Sequence, residues 1–389
     1  MLSEASEPLT SNSVSSFLFN TIPPSPCLQL TVIVPVRNEA EHLIATLNAL
    51  RNQRDASGSP LDPARYEVLL LANNCTDHSY AVAAHYQLQY PNFPLHIAQI
   101  QLPTPQANIG TVRRLLMDEA YRRLMSVGNN RGIIASTDGD TVVDTQWIWH
   151  TIQEIEKGND AVGGRIITRT DNNPARLYHL RDVMYRSLMA QVEAVVDPNP
   201  HDPWPRHFQH FGASIAVTCS MYHRAGRLPR VPYLEDEAFH RALLRVDARI
   251  RKSPHVKVLT STRLRGRVDV GFSEQLRQWT DMHGTNRMQL VESGEAIIGR
   301  FINRKRLRAC WAARHQSDVQ QELSLLAGDL LIEQQWLKHT FGTSRFFGQL
   351  WENVEERMMN GRWKQQWEPV TINRAIQTLR HFLRTQVDD

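Results

Sequence analysis

From about residue 30 the chain alternates short, wholly apolar runs with stretches of helical period, and that alternation leaves few folds open. LTVIVPV (30–36) is rich in β-branched residues and is followed by Asn38, Glu39 and then Leu43, Leu47 and Leu50 at helical spacing. YEVLLLA (66–72) leads into Asn73 and Asn74 and a helix expected from Asp77. HIAQIQL (96–102), a helix over 110–125, GIIAST (132–137), the helix TQWIWHTIQEIEKG and the strand DAVGGRIITR (160–169) continue the series. Strands that are apolar on both faces need cover on both sides, so the expected fold class is α/β, a mostly parallel sheet flanked by helices.

Beyond residue 174 the pattern loosens. A long helix is expected to 196, then the Pro-rich loop DPNPHDPWPRH (197–207), the strand GASIAVTC (212–219) and a helix around 236–244. Long loops inside domains are usually functional or disordered, and this one is read as functional, with Trp204 able to stack on a ligand or to pack. From Ser317 onward the periodicity predicts helix throughout. The expected organisation is a loose N-terminal arm (1–28), a catalytic α/β domain (29–280) and a C-terminal helical region (281–389).

Composition narrows the function class. Of 389 residues 41% are hydrophobic and 22% charged, the mix of an ordinary folded protein. A net charge of +4 falls short of a nucleic-acid footprint. Cys27, Cys75, Cys219 and Cys310 are widely spaced, which predicts neither a zinc motif nor a disulfide framework and suits a reducing cytoplasm. No apolar run is long enough to span a bilayer, and the N-terminus lacks the charge and core of a secretory signal.

Ligands of open α/β sheets sit beyond the carboxyl ends of the strands. There the sequence places Pro35-Val36-Arg37-Asn38-Glu39, Asn73-Asn74-Cys75-Thr76-Asp77 and Thr137-Asp138-Gly139-Asp140. Asp138 and Asp140 offer hard oxygen ligands for Mg or Mn, with substrate phosphates completing the shell, although Asp-Gly-Asp is also an ordinary turn sequence. Asn73 and Asn74 read equally as ligands or as turn residues, and Asp77 as a helix cap. Arg113 and Arg114 could pair with a diphosphate or lie on a solvated face. Glu235, Asp236 and Glu237 open a helix; capping alone explains them, but crowded carboxylates also suit a general base, for which Asp236 is the candidate.

Three weaker features complete the set. Arg263, Arg265 and Arg267 alternate after a short strand, where they could bind phosphate or be solvated. His207 and His210 have a spacing seen in metal sites, with an active-site loop as the milder reading. The run NRKRLR (303–308) reads as a solvated basic face, with peripheral contact to an anionic membrane surface as its alternative.

In order and spacing, VIVPVRNEAEHL, LLLANNCTDHS, ASTDGDTVVDTQWI, DAVGGRI, FGASIAVTCSMYHRAGRLP and YLEDEAF resemble the inverting glycosyltransferases of family 2, over about residues 30–270. The resemblance implies a GT-A, Rossmann-like fold and transfer of a sugar from a UDP- or GDP-sugar to an acceptor hydroxyl, most plainly by a hexosyltransferase. It implies that Pro35, Arg37, Glu39 and Asn73, with Asp77, Arg113 and Asp138, meet the nucleotide-sugar. Asp138 and Asp140 would hold a divalent metal, Mg or Mn. Asp236, beside Glu235, would be the base, and Gly212, Ala213 and Ser214 would line the acceptor side. The acceptor itself, a glycan, a lipid or a small metabolite, is not specified.

The sequence departs from the pattern in two places. Ala72 and Asn73 stand where an Asp pair is usual, which leaves the mode of base recognition open. Gln278 replaces the arginine of the Q-x-x-R-W motif of processive synthases, so a non-processive enzyme is expected. The alternatives are a nucleotidyltransferase, for which PVRNEAEHL lacks the glycine-rich loop, and a catalytically silent sugar-nucleotide or partner-binding protein on the same scaffold.

Overall fold

The structure, a computed structural model, describes residues 18–19, 22–168, 175–261, 272–285 and 287–386. Arg263, Arg265, Arg267 and most of the expected N-terminal arm lie outside the described residues. By its contacts the chain divides into two units, one of Met1–Arg169, Gln209–His240 and His255–Ser261, the other of Thr170–Phe208, Arg241–Pro254 and Thr262–Asp389. This division is interleaved along the chain, whereas the sequence reading draws linear boundaries at 28 and 280.

The first unit is built on the expected α/β alternation. Strands β1 (Leu30–Val36), β2 (Tyr66–Asn73), β3 (Leu95–Ile100) and β4 (Ile133–Ser136) form a parallel block in the order β3-β2-β1-β4. Every residue of β1, β2 and β4 is buried, as strands covered on both faces require. The eight-stranded sheet continues past β4 with β5 (Val142–Val143), β6 (Ala161–Thr168), β7 (Ile215–Thr218) and β8 (Ile250–Thr260). In this half β7 runs antiparallel to β4 and β6, and β5 antiparallel to β8.

The helices follow their apolar spacing. Helix α1 (Leu43–Arg51) buries Leu43, Thr46, Leu47 and Leu50, one face at i, i+3, i+4 and i+7. Then come α2 (Ser79–Gln89), α3 (Ile109–Ser126) and α4 (Trp147–Glu156), whose buried Trp147, Ile148, Ile152 and Ile155 join β1, β2 and α1 in one core. Helix α3 starts where Asn108 accepts a hydrogen bond from the Thr111 N–H, an N-cap worth about 1 kcal/mol.

One buried ion pair ties α3 to the sheet. Glu67 on β2 receives Arg123 of α3 through Nε at 2.9 Å and Nη2 at 2.6 Å, and also the Thr31 hydroxyl of β1 at 3.0 Å. Burial alone would raise the Glu67 carboxyl, but hydrogen bonds from His96 and Arg123 outweigh it and hold the group at about 2.

Among its described residues the second unit is mostly helical, with one short ladder and the first residues of β8. It holds α5 (Arg176–Val196), and the chain reaches its later helices through α6 (Cys219–Arg224) of the first unit and α7 (Glu235–Arg245), which begins there. Next are α8 (Phe272–Gly284), α9 (Gly294–Ala312), α10 (Val319–Asp329), α11 (Gln334–Thr343), α12 (Phe347–Met359), α13 (Arg362–Gln366) and α14 (Ile372–Thr385). One core joins α9 to α13 around Leu323, Leu337, Leu350 and Val354; another joins α5, α9 and α14 around Val192, Ile297, Ala375 and Leu379. Strands β9 (Leu290–Val291) and β10 (Val370–Thr371) pair antiparallel, so the region from 317 is not helix throughout as its periodicity predicts. Two-residue strands are too short for any periodic signal.

The Pro-rich loop 197–207 is fixed by charge. Asp202 pairs with Arg206 and Arg251, and Asp197 with Arg304 and Arg308. Arg306 pairs with Glu322 and Asp329, so three cations of the 303–308 run have carboxylate partners, with Arg306 33% and Arg308 48% exposed. Trp204 is 49% exposed. No described helix is long and apolar enough to cross a membrane.

The Glu67 pair generates a test. Its carboxyl is held below its ordinary value, so its stabilisation is present above about pH 4.5 and is lost as pH falls towards about 2. Glu67→Gln should lower stability at pH 7 by about 3–5 kcal/mol, because Arg123 loses its buried partner. Denaturant midpoints measured from pH 7 to pH 2 should fall less steeply in the variant than in the parent protein.

Candidate functional site

The carboxyl ends of β1, β2 and β4 lie side by side, with Val36 paired to Ala72 and Ser136 to Ile33. The three polar turns expected there therefore share one sheet edge. Asn38 leaves β1 in the left-handed region, at φ 56°, and its Oδ1 accepts the N–H of Thr76 at 2.7 Å. Asp77 accepts the Ala40 N–H at 3.1 Å and the Ser79 N–H and hydroxyl, and the Glu39 N–H donates to Ser79 Oγ at 2.7 Å. The N-cap position of α2 is His78 rather than the Asp77 expected from the sequence, and Asp77 instead joins the β1 turn to the β2 turn.

The other residues of this edge divide between anchors and open positions. Pro35 is buried in β1, Arg37 is exposed and donates to the Ala107 carbonyl at 3.1 Å, and Glu39 is buried. Asn74 bonds both backbone groups of Leu102, joining the ends of β2 and β3. Its neighbour Asn73 is buried, and its Oδ1 has no hydrogen-bond partner. Ser136 Oγ, Thr137 Oγ1 and Arg113 Nε are also buried and unpartnered. Native proteins leave few such atoms unpaired, so several near one sheet edge mark a place for a ligand with its own donors and acceptors.

Arg113 organises the carboxylates. From α3 it reaches Asp138 at 2.6 Å with one guanidinium nitrogen and Glu235 with another. The guanidinium is buried, whereas the Asp138 side chain is 34% exposed. Arg114, its neighbour, turns to Asp118 and the Leu228 carbonyl. Asp140 accepts the Ser261 hydroxyl at 2.6 Å.

Asp236 is aimed by backbone. One carboxylate oxygen accepts the Gly212 N–H at 2.9 Å and the other the Glu237 N–H at 2.8 Å. The preceding Leu234 has φ 54°, a left-handed conformation that costs a leucine of order 1–3 kcal/mol and that clusters at functional sites. Gly212, Ala213 and Ser214 form a buried one-turn helix before β7. The Ser214 hydroxyl accepts the Trp147 indole N–H at 2.9 Å, so within this segment it is the Gly212 backbone that meets the Asp236 carboxylate.

The charges test whether a cation fits. Burial raises the Asp138 carboxyl; Arg113 pulls it down, and the nearby Asp140 and Asp236 push it up again, with a net upward shift. Hard oxygens crowded in this way suit Mg or Mn, because a divalent cation relieves their repulsion.

Sequence reasoning missed the residues that position these groups. Asn38 was visible only as part of a turn, and neither Ser79 nor Ser261 has a spacing signal. His207 bonds the Ser253 carbonyl at 3.1 Å within the second unit. His210, in the first, bonds Glu237 at 2.7 Å and stacks on His240. The pairing of His210 with residues 27 and 30 positions away could not be read locally.

A mostly parallel sheet with polar turns gathered at its carboxyl edge places the chain among the α/β proteins whose ligands bind beyond the ends of the strands. Residues 31–208 match the family model for glycosyl transferase family 2. A curated relative, glycosyltransferase AglE of Haloferax volcanii, is 27% identical over 138 residues, covering 35% of this chain and 39% of that protein. The chain therefore matches well under half the length of that relative. Among solved structures, S. aureus TarS 1–349 in complex with UDP superimposes with TM-score 0.42 at 13% identity, over 85% of this chain and 90% of that one. Mannosyltransferase PcManGT from Pyrobaculum calidifontis, in complex with GDP-Man and Mn2+, gives 0.44 at 12%, over 95% and 91%.

Close packing of Gly212 on Arg113 makes the site testable without touching a charged group. A Cβ at residue 212 would overlap the Arg113 guanidinium, which two carboxylates hold in place. Gly212→Ala should cost about 1–3 kcal/mol, read as a lower thermal midpoint. Combining it with Arg113→Met should cost less than the two separate losses added together, since the clash is then gone.

Proposed function

We propose that this protein is a non-processive glycosyltransferase that moves a hexose from a UDP- or GDP-sugar to an acceptor hydroxyl with inversion. The observation that carries the reading is the set of buried, unpartnered polar atoms, Asn73 Oδ1, Ser136 Oγ, Thr137 Oγ1 and Arg113 Nε, beside the Asp138 and Asp140 carboxylates. A nucleoside diphosphate sugar supplies both what those atoms lack and what the carboxylates need, a ligand rich in donors and acceptors that arrives with a cation. The family 2 match over 31–208 supports the same class.

In this reading Asn73 meets the nucleobase edge, while Pro35, Arg37, Glu39 and Asp77 shape the nucleotide pocket from the two joined turns. Asp138 and Asp140 hold the divalent cation, which when bound neutralises charge on the leaving diphosphate. Arg113 keeps the Asp138 carboxylate and Glu235 in register and brings a fixed positive charge to the diphosphate side. Asp236 takes the proton of the acceptor hydroxyl as its oxygen bonds to the anomeric carbon and the bond to the diphosphate breaks on the opposite face. The Gly212 and Glu237 N–H groups occupy one lone pair on each Asp236 oxygen and so restrict where the free ones point. The acceptor is a glycan, a lipid or a small metabolite.

Two variants separate the roles. Asp236→Asn should lower turnover by about 10²–10⁴ while leaving nucleotide affinity nearly unchanged. Asp138→Asn should abolish the gain in UDP or GDP affinity that Mn2+ brings, measured by calorimetry. Turnover near the parent rate in Asp236→Asn would remove the base assignment.

A further inference from the structure

Next to Asp236 the chain gathers a second group of metal-ligating side chains that the transfer chemistry does not use. Glu237 and His240 are one turn apart on α7 and face the same side of it. His210, from the segment before Gly212, closes the group: its Nε2 lies 2.7 Å from Glu237 Oε2. The His210 and His240 rings stack with centroids 3.8 Å apart and planes 10° apart. One ligand atom from each of the three residues lies within 4.8 Å of the other two.

Those distances permit a shared cation. Three atoms no farther apart than this have a common point within about 2.8 Å of each, against zinc–nitrogen and zinc–oxygen bonds of about 2.0–2.2 Å. Closing the site takes adjustments of under about 1 Å per ligand atom and a tilt of the stacked His210 and His240 rings out of parallel, so that the in-plane lone pair of each imidazole meets the cation. The donor set also differs in kind from the pair at Asp138 and Asp140. Two imidazoles and one carboxylate form a borderline set that takes zinc and the later first-row divalent ions, whereas carboxylates alone take magnesium and manganese. The side chains of His210 and Glu237 are 16% and 36% exposed, so water can reach a fourth position.

We propose that His210, Glu237 and His240 form a second divalent-cation site, of the zinc and cobalt class, distinct from the carboxylate pair of the sugar-nucleotide reading. The site joins the two segments that hold Asp236. Glu237 follows Asp236 and donates its N–H to it, and His210 lies two residues before the Gly212 whose N–H the same carboxylate accepts. A bound cation therefore staples the start of α7 to the 210–212 segment and restricts the Asp236 carboxylate.

Cobalt reads the site directly. Full-length protein stripped with chelator is titrated with Co2+ in excess Mg2+, which fills the carboxylate pair, and visible ligand-field absorption is followed. The expected result is one equivalent of Co2+ giving the intense bands of a four-coordinate site, present in the parent and in Asp138→Asn. Affinity should be at least about tenfold weaker in His240→Gln and in Glu237→Gln, the loss typical of removing a ligand or its support. Circular dichroism and the thermal midpoint identify any variant that has failed to fold, and the second substitution then stands in for it. The proposal is overturned if no bands appear at micromolar Co2+, if they persist undiminished in both folded variants, or if they vanish in Asp138→Asn. This readout does not depend on the transferase reading, since it involves neither donor nor turnover.

Discussion

Arg113 is the charge on which the candidate site depends. It is nearly inaccessible, yet it faces Asp138 at the end of β4 and Glu235 at the start of α7, two points 97 residues apart in sequence. Without it, burial and the pressure from Asp140 and Asp236 would act on Asp138 uncompensated. A guanidinium can do this because its planar fork serves two carboxylates at once and stays charged when buried. Gly212 is small for the same reason: its missing side chain is the space the guanidinium fills.

Much of the scaffold was legible because parallel strands declare themselves. β1, β2 and β4 are buried throughout and largely apolar, since helices cover both faces of the sheet, and the polar turn after each is forced to the same edge by parallel pairing. Asp138, Asp140 and Asn73 could therefore be placed at one edge from sequence alone. The partners of those residues could not. Nothing in the spacing of Arg113 distinguishes a diphosphate ligand from the buried ion pair it makes, and the hydroxyl of Ser214 lies in a segment chosen for the acceptor yet bonds Trp147. Periodicity reports which face of an element is covered; it says nothing of which polar group waits on the other side.

The second unit illustrates the same limit at larger scale. Its helices announce themselves by apolar spacing, as in α14, where Ile372, Ala375, Ile376, Leu379 and Leu383 are buried. Its assembly rests instead on charges that come from distant segments. Glu193 and Asp197 at the end of α5 receive Arg206, Arg304 and Arg308, and Asp202 receives Arg206 and Arg251. Burial raises the Glu193 carboxyl, and Arg304, Lys252 and Arg206 more than offset it, lowering it well below the ordinary range. The basic run 303–308, which in sequence reads as a solvated face, thus also supplies ion pairs to other segments, while Arg308 remains 48% exposed.

The two proposed cation sites would present two kinds of ligand near the Asp236 carboxylate. Asp138 and Asp140 are acceptor-only groups with no ring nitrogens, and a cation they hold keeps open positions for phosphate oxygens. Imidazoles do the opposite: they bind through directional lone pairs and fix the rings that carry them. Asp236 lies between these demands. Its charge is among those that raise the Asp138 carboxyl. Its two backbone hydrogen bonds, from the Gly212 and Glu237 N–H groups, fix it to the two segments that a cation at the proposed site of His210, Glu237 and His240 would join.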